Sequence, residues 1–287
     1  MIDIKLLEQL CLCNGISGDE GNVRNLIINE IKDCADDIKT DNLGNLIVFK
    51  KGKKSAKSKL MVSAHMDEVG LMVTDITSDG YLKFDEVGGI DRRVLPGKRV
   101  CVGRNGLNGV IGVKPIHLTN GDEKTAVPKM NDMYIDIGAE SREDALKYVN
   151  YGDGINFEGD FKINGKTVVT KALDDGCYVL INLIKSEPEY DMYFTFVVQE
   201  EVGLRGARSA AFTVNPDFAL VIESTTAADV AEVDVSHQVC NLSKGATVTV
   251  MDRATVYDKE MISAAFELAE KNNIAVQYKR AVAGGND

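Results

Sequence analysis

The stretch KLMVSAHMDEVG (residues 59–70) begins as an apolar run and ends in one histidine and two acids. The apolar part predicts a buried strand, along which side chains alternate between the two faces of a sheet. His65 and Asp67 would therefore share one face, and Glu68 would lie on the other. A histidine beside a carboxylate suits a metal ligand whose second ring nitrogen is held by that acid. A strand end capped by solvated charges is the alternative interpretation.

The chain on either side of this stretch alternates between helix and strand patterns. Such alternation predicts an α/β fold with a mostly parallel sheet covered by helices on both faces. Between residues 69 and 165 the pattern changes to short β-like runs separated by Gly and Asn turns, which predicts an inserted β-rich domain. The α/β domain would then comprise residues 1–68 and 166–287. Near its start, we expect Ser17 or Asp19 to cap a helix.

Composition restricts the class of protein. The 287 residues carry a net charge of −11, which argues against a nucleic acid or an anionic membrane as partner. The six cysteines include no C-x-x-C pair and are typical of reduced thiols. No stretch approaches the roughly 20 apolar residues of a membrane span, and the N-terminus does not resemble a signal peptide. We therefore expect a cytoplasmic protein.

Carboxylates also end three later segments of the chain. Asp174 and Asp175 end a β-rich stretch before a helix, Glu200 and Glu201 follow the run TFVVQ, and Glu223 ends FALVIE. Because the carboxyl ends of parallel strands share one edge of a sheet, these acids would converge on one site. Each acid alone also fits a helix cap or a solvated strand end. Together with the histidine, they form a nitrogen and oxygen ligand set suited to zinc, cobalt or manganese.

The adjacent acids Glu200 and Glu201 are expected to point to opposite sides of their strand. One of them can then bind a metal while the other acts as a base. His117 and His237 are expected to be structural or surface residues rather than ligands. Cys177 follows the acid pair, but no histidine is placed to activate it, so we do not expect a thiol nucleophile.

Five motifs resemble the M42 family of metallo-aminopeptidases, the glutamyl aminopeptidase and tetrahedral aminopeptidase group. In chain order they are GISGDEG, SAHMDEVG, ALDD, QEEVGLRGA and MDRATVYD, and GGIDRRVLPGKRV and KPIHL resemble the second domain of that family. The resemblance implies a zinc-peptidase-like fold in which residues 69–165 form a small β-barrel-like domain for dimerisation or for covering the site. It also implies removal of N-terminal residues from short peptides, and self-association to a dimer or a dodecamer.

The resemblance further implies two divalent metal ions in a complete subunit, with zinc or cobalt as the main candidates and manganese also compatible. His65, Asp174 and Glu223 would bind one ion. Asp174 would bridge to the second ion, which Glu201 would also bind. Family members often have Asp at the position of Glu223, although Glu occurs there too.

The resemblance implies two further roles. Asp67 would orient the histidine ligand, and Glu200 would be the general base for a metal-activated water. Family members commonly have Arg after the Asp pair, where this chain has Gly176.

The sequence ends in AVAGGND, and no histidine follows His237. In the family, a similar Gly-Gly-x-Asp stretch is followed by a histidine that completes the second metal site. We therefore expect a C-terminally incomplete chain that holds one ion firmly, holds the second weakly or not at all, and hydrolyses peptides poorly. Two other functions stay open: a defective homologue that binds peptides or assembles, and a glycoside hydrolase with a carboxylate pair. The metal dependence of activity would separate the glycoside hydrolase from the peptidase.

Overall fold

The computed structural model describes residues 2–121, 125–174, 176–280 and 284–287. The chain forms two compact units, one ending at Ile222 and one spanning Glu223–Asp287. The helices of the first unit are Ile4–Leu12 (α1), Gly21–Ile31 (α2), Arg142–Ala145 (α3), Gly176–Lys185 (α4) and Arg205–Val214 (α5). Its strands are Asp37–Thr40 (β1), Leu46–Lys50 (β2), Leu60–His65 (β3), Gly70–Ile76 (β4), Leu82–Val87 (β5), Arg99–Val102 (β6), Leu107–Val113 (β7), Met133–Asp136 (β8), Gly154–Phe157 (β9), Lys162–Asn164 (β10), Thr167–Val169 (β11), Met192–Val197 (β12) and Phe218–Val221 (β13).

Within its described residues, the second unit contains one α-helix and one pair of parallel strands. Its elements are Ala246–Val248 (β14), Lys259–Lys271 (α6) and Val276–Tyr278 (β15). The carboxylate of Asp258 caps α6 by accepting the backbone N–H groups of Glu260 and Met261. None of the described helices is both long enough and apolar enough to cross a membrane.

The main sheet of the first unit has the strand order β1-β2-β12-β3-β13. The strands β12 and β13 run parallel to β3, whereas β1–β2 and β2–β12 are antiparallel pairs. The predicted α/β class is confirmed, and the sheet is mixed, with its parallel part formed by the strands that precede the candidate site residues. Val197 of β12 lies beside His65 of β3, so these two strands end at the same level.

Helices cover both faces of this sheet, as the alternating apolar pattern predicts. On one face, α1, α2 and α4 pack on Phe194 and Phe196 of β12, which are fully buried. On the other face, Val214 of α5 packs with Met61 of β3 and Ile47 of β2. Period-two alternation along the strands sends successive side chains to these two cores.

The predicted β-rich unit is a closed six-stranded barrel with the order β4-β5-β8-β7-β6-β9. Its interior is a separate apolar core that includes Leu71, Phe84, Ile111 and Ile135. The barrel and the main sheet both belong to the first compact unit, and the domain boundaries derived from the sequence stay a prediction.

The predicted cap of α2 is wrong. The N-cap residue is Glu20, whose side chain accepts no hydrogen bond from that helix. The hydroxyl of Ser17 instead donates to the buried carboxylate of Asp67 at 2.5 Å. A buried charge needs donors more than a solvated helix end does, so the tertiary contact prevails over the local cap.

Candidate metal centre

His65 is the last residue of β3, and its imidazole is buried. Its Nδ1 lies 2.9 Å from the backbone carbonyl oxygen of Asp67. A carbonyl oxygen can only accept, so Nδ1 carries the hydrogen and Nε2 is the nitrogen left for a ligand. Nε2 lies 3.3 Å from Oδ2 of Asp174. The backbone carbonyl of Asp67, just beyond β3, therefore orients the ring so that Nε2 is the nitrogen that suits a metal.

The electrostatic surroundings of His65 favour positive charge. Burial disfavours the charged ring, but hydrogen bonds with Asp174 and Asp67, together with their negative charges, raise the pKa of His65 to about 12. Two carboxylates that stabilise a proton on this ring would also stabilise a divalent cation at Nε2. One imidazole nitrogen with carboxylate oxygens is a donor set that zinc, cobalt and manganese accept. The residues therefore fit a metal.

Asp174 does not come from a strand of the main sheet, contrary to the expectation that four strand ends converge. It lies in the loop between β11, part of a separate two-stranded hairpin, and α4. Asp175 falls outside the described residues. Gly176, the first residue of α4, lies close against the sheet: an added Cβ would be 2.2 Å from the carbonyl oxygen of Ile222 and 2.6 Å from Cβ of Ala64. The close approach explains a glycine at this position.

Glu200 and Glu201 lie beyond the end of β12, so the expected strand alternation does not apply to them. Gln199 adopts a left-handed backbone conformation with φ of 57°, which turns the chain out of the strand. The side chain of Glu201 lines a cavity of about 190 Å³ that is also lined by His65 and Asp174. Burial raises the pKa of Glu201, because removal from water disfavours the charged carboxylate. Glu200 is buried and does not line that cavity.

Asp67 contacts the neighbouring residues of the site through two groups, its backbone carbonyl and its side-chain carboxylate. Its carbonyl oxygen holds His65, while the nearest carboxylate oxygen lies 3.6 Å from Nδ1. The carboxylate accepts the backbone N–H groups of Glu200 at 3.0 Å and Glu201 at 3.2 Å, besides the hydroxyl of Ser17. Burial opposes ionisation, but the contacts with His65, Ser17 and the Glu200 N–H lower the pKa of Asp67.

Glu223 begins the second unit and follows β13 by two residues along the chain. With the amide of Asn286 oriented to donate, its nitrogen lies 3.2 Å from each carboxylate oxygen of Glu223. Tyr257 donates its hydroxyl to Asp252 at 2.5 Å. The pKa of this tyrosine is raised by burial, by that hydrogen bond and by the charges of Asp252 and Glu223.

The other candidate side chains of the sequence lie elsewhere or serve the fold. His117 and His237 are exposed residues of short 3₁₀ turns. The thiol of the buried Cys177 donates to the carbonyl oxygen of His65 at 3.0 Å, which ties α4 to the end of β3.

The same cavity contains an ion pair that the sequence did not reveal. Lys171 Nζ lies 2.6 Å from Oε1 of Glu68, and both side chains are largely buried. The ammonium group also donates to Asn14 Oδ1 at 3.1 Å and to the carbonyl oxygen of Cys13 at 3.3 Å. Its three hydrogens therefore connect the loop before Asp174 to the loop after α1.

Comparison with known proteins identifies the family of this chain. The model of the M42 glutamyl aminopeptidase family matches residues 44–287. A protein named as a putative aminopeptidase from Acetivibrio thermocellus is 44% identical over 286 residues, which cover 98% of this chain and 83% of that protein.

Two solved structures share the fold over nearly the whole chain. A TET aminopeptidase from a marine sediment Thaumarchaeota archaeon matches with a TM-score of 0.93 at 33% identity, covering 99% of this chain and 82% of that one. The Pyrococcus horikoshii TET1 peptidase, described as able to assemble into a tetrahedron or a large octahedral shell, matches with a TM-score of 0.86 at 40% identity and covers 99% of this chain and 86% of that one. The resemblance seen in the motifs is thereby confirmed, and the chain belongs to the M42 glutamyl aminopeptidase family.

Proposed function

We propose that this aminopeptidase is metal-dependent and removes N-terminal residues from short peptides. The observation that carries the proposal is the pair formed by His65 and Asp174. The Nδ1 hydrogen bond fixes the ring so that Nε2 faces the carboxylate at 3.3 Å within a cavity. A buried imidazole held in this way beside a partly exposed carboxylate, in a chain of this family, suits a divalent cation better than it suits a structural role.

In this proposal, His65, Asp174 and Glu223 would hold one cation, and Asp174 and Glu201 would hold a second. The position of Glu201 in the cavity beside His65 and Asp174 supports its role as a ligand. When bound, the cations would lower the pKa of a water molecule towards about 7 and polarise the peptide carbonyl.

Glu200 is proposed as the general base. Its buried position and the hydrogen bond from its backbone N–H to Asp67 keep this acid in a defined place. It would take a proton from the attacking water and return it to the leaving amine. We assign different roles to Glu200 and Glu201 because, of the two, only Glu201 lines the cavity with His65.

In this proposal, the carboxylates of Asp174 and Glu201 would bind the second cation. Three protein ligands are usual in a catalytic zinc site. We propose that the cation bound by His65, Asp174 and Glu223 is held more firmly than the second cation. Metal analysis after dialysis would test this, and two tightly held ions per chain would contradict it.

We also propose that the protein self-associates through the barrel and acts in the cytoplasm, without a nucleic-acid or membrane partner. The barrel region carries exposed apolar side chains, among them Val94, Ile116 and Leu118. The assembly described for the TET1 peptidase supports this proposal. The net charge of −11 and the six free cysteines support the proposed location.

The decisive experiment is a hydrolysis assay on a panel of amino-acid p-nitroanilides. The protein would be stripped of metal, and then supplied with zinc, cobalt or manganese. We expect hydrolysis only with metal, and no hydrolysis of N-acetylated substrates. Metal-independent cleavage of a cello-oligosaccharide would favour a glycoside hydrolase, and peptide binding without turnover under every metal would favour a defective homologue.

A further inference from the structure

In the segment that carries Glu200 and Glu201, the backbone carbonyl oxygens of residues 198–200 accept backbone N–H groups from residues 203–206, but the backbone N–H groups of the segment bind side chains. Four consecutive backbone N–H groups each donate to a buried side-chain oxygen. These oxygens come from three parts of the chain: the start of β2, the start of α2 and the end of β3. The bonds are Val198 N–H to Asn45 Oδ1 (3.0 Å), Gln199 N–H to Glu20 Oε1 (3.2 Å), Glu200 N–H to Asp67 Oδ1 (3.0 Å) and Glu201 N–H to Asp67 Oδ2 (3.2 Å).

This arrangement compensates for a strained backbone. Gln199 has a left-handed conformation, which is unfavourable for a residue with a side chain. Such a residue persists only where its surroundings determine the conformation, and here every amide from 198 to 201 has an acceptor in place. The left-handed turn redirects the chain after β12 and so determines where the next two acids lie.

Glu20 serves this segment and not its own helix. It is the N-cap residue of α2, yet its side chain accepts no bond from that helix. Its Oε1 accepts the N–H of Gln199 and, at 2.7 Å, the N–H of Gly18. The side chain is buried, with 4% of the residue exposed, so water does not readily replace it. Glu20 belongs to the GISGDEG motif (residues 15–21), which therefore binds a segment distant in sequence. The motif alone does not indicate this contact.

The two neighbouring acceptors are themselves fixed. Asn45 is completely buried, and its Nδ2 donates to the carbonyl oxygen of Gly206 at 3.0 Å and to Asp41 at 2.7 Å. Asp67 is fixed by Ser17 and by its contact with His65. Of the three acceptors, Glu20 is the one that binds the backbone N–H of Gln199. Its removal therefore releases Gln199 and leaves in place Asp67, whose carbonyl oxygen holds His65.

We propose that Glu20 is a positioning residue for peptide hydrolysis: it fixes the left-handed turn at Gln199 and thereby the places of Glu200 and Glu201. This inference rests on the proposed metal-dependent activity. Glu20 acts through hydrogen-bond acceptance, so an amide oxygen at the same reach should serve as well as a carboxylate.

Three variants test the proposal: Glu20→Gln retains the acceptor, Glu20→Asp withdraws it by one methylene but keeps the charge, and Glu20→Ala removes it. We expect Glu20→Gln to keep kcat within about threefold of the parent. We expect the other two to lower kcat by about 10- to 100-fold with little change in KM, as misplaced catalytic groups do. If Glu20→Ala does not fold, the order of the Gln and Asp variants still decides the matter.

The second readout is independent of turnover. Hydrogen exchange in the metal-free protein should be faster at the amides of residues 198–201 in the Asp and Ala variants and unchanged in Glu20→Gln. The matched control is Asp3→Ala, because Asp3 Oδ1 also accepts two backbone N–H groups, at 3.2 Å each, but at the start of α1. That variant should change neither kcat nor exchange at residues 198–201.

Two outcomes would overturn the inference. One is a Glu20→Ala protein with a lower melting temperature but parental kcat and exchange, and the other is an active Asp variant beside an inactive Gln variant. Cation binding and turnover by the parent, measured alongside, test the proposed function itself. An inactive parent without bound metal would contradict that function, whereas an active parent with an equally active Glu20→Ala variant would contradict the role of Glu20 alone.

Discussion

Asp67 shows how one residue can support a site without lying at its centre. Its carbonyl oxygen selects the tautomer of His65, while its carboxylate holds the amides of the two acids that follow β12. A carboxylate that accepts three hydrogen bonds is stabilised in its charged form, in keeping with its lowered pKa. The residue therefore couples the orientation of the proposed ligand to the position of the proposed base.

Glu200→Gln should abolish turnover and leave metal binding nearly intact, because it removes a base and no ligand. Loss of a general base lowers kcat by about 10²- to 10⁴-fold. The measurement is p-nitroanilide hydrolysis together with metal content by mass spectrometry. Glu8→Gln, at an exposed position on α1, is the control and should be as active as the parent. A Glu200→Gln protein without metal would show that this acid is a ligand.

Asp174→Asn should lose bound metal as well as activity. The Asn side chain lacks the negative charge that faces His65 Nε2 at 3.3 Å. In our proposal, the Asp174 carboxylate would bind both cations. Isothermal titration of the metal-free protein with zinc or cobalt measures the effect. An Asp174→Asn protein with parental affinity and turnover would refute the bridging role.

Two elements, α4 and the loop before it, decide where Asp174 lies. The helix begins at Gly176, pressed against the backbone of Ile222 and against Ala64. The loop is tied down by the buried ammonium of Lys171. Neither contact follows from the helical pattern, which indicates only that a helix is present.

Gly176→Ala should destabilise the protein by about 1–3 kcal/mol, because the added methyl group overpacks the contact between α4 and the sheet. It should also weaken metal binding, since Asp174 lies two residues before Gly176 and is displaced when the start of the helix moves. Denaturant unfolding and metal titration measure the two effects. Gly21→Ala is the matched control: it is also the first residue of a helix, and its Cβ would meet only Arg24 at 3.7 Å. The control should be neutral or more stable by up to about 1 kcal/mol.

Lys171→Met should cost about 3–5 kcal/mol of unfolding free energy, because it leaves the buried carboxylate of Glu68 without its partner. Removing both charges in Glu68→Gln/Lys171→Met should recover part of that loss. Lys185→Met is the control, since its ion pair with Glu30 has the same length of 2.6 Å but is about one-third exposed. An exposed pair contributes about 0–1 kcal/mol. Urea unfolding measures the loss of unfolding free energy. Equal losses in Lys171→Met and Lys185→Met would contradict a larger contribution from the buried pair.

At the scale of the whole molecule, the barrel and the sheet have separate cores but belong to one compact unit. The proposed ligands come from the end of β3, from the segments that follow β12 and β13 along the chain, and from the loop before α4, and the barrel contributes none of them. Its exposed apolar side chains are therefore available for self-association.

The metal-replete protein should be an oligomer at micromolar concentration. Replacing the exposed Ile116 and Leu118 with Glu should give a smaller assembly, because charged side chains oppose burial in an interface. Phe212→Glu is the control: Phe212 is 90% exposed on α5, outside the barrel, and its replacement should leave the assembly unchanged. Light scattering measures the mass. A monomeric parent would count against the proposed assembly, and an unchanged mass in the double variant would exclude this part of the barrel as the interface.

The sequence by itself determined the α/β class, the inserted β-rich segment, the family, and the residue types of the proposed site. Periodicity and family motifs carry this information because burial within one element repeats along a short stretch of chain. It did not determine that Asp174 lies in a loop after a separate two-stranded hairpin instead of at the end of a main-sheet strand, nor that Glu200 and Glu201 lie beyond β12.

Only the tertiary structure decided which acceptors hold the segment of the two acids. Asn45, Glu20 and Asp67 are 153, 179 and 133 residues from the amides Val198, Gln199 and Glu200 that they bind. A local pattern predicts that Ser17 or Asp19 caps the nearby helix, whereas the hydroxyl of Ser17 binds Asp67, 50 residues away. Buried polar groups take the partners that the packed fold brings within reach, because leaving them unsatisfied costs more than giving up a local cap exposed to water.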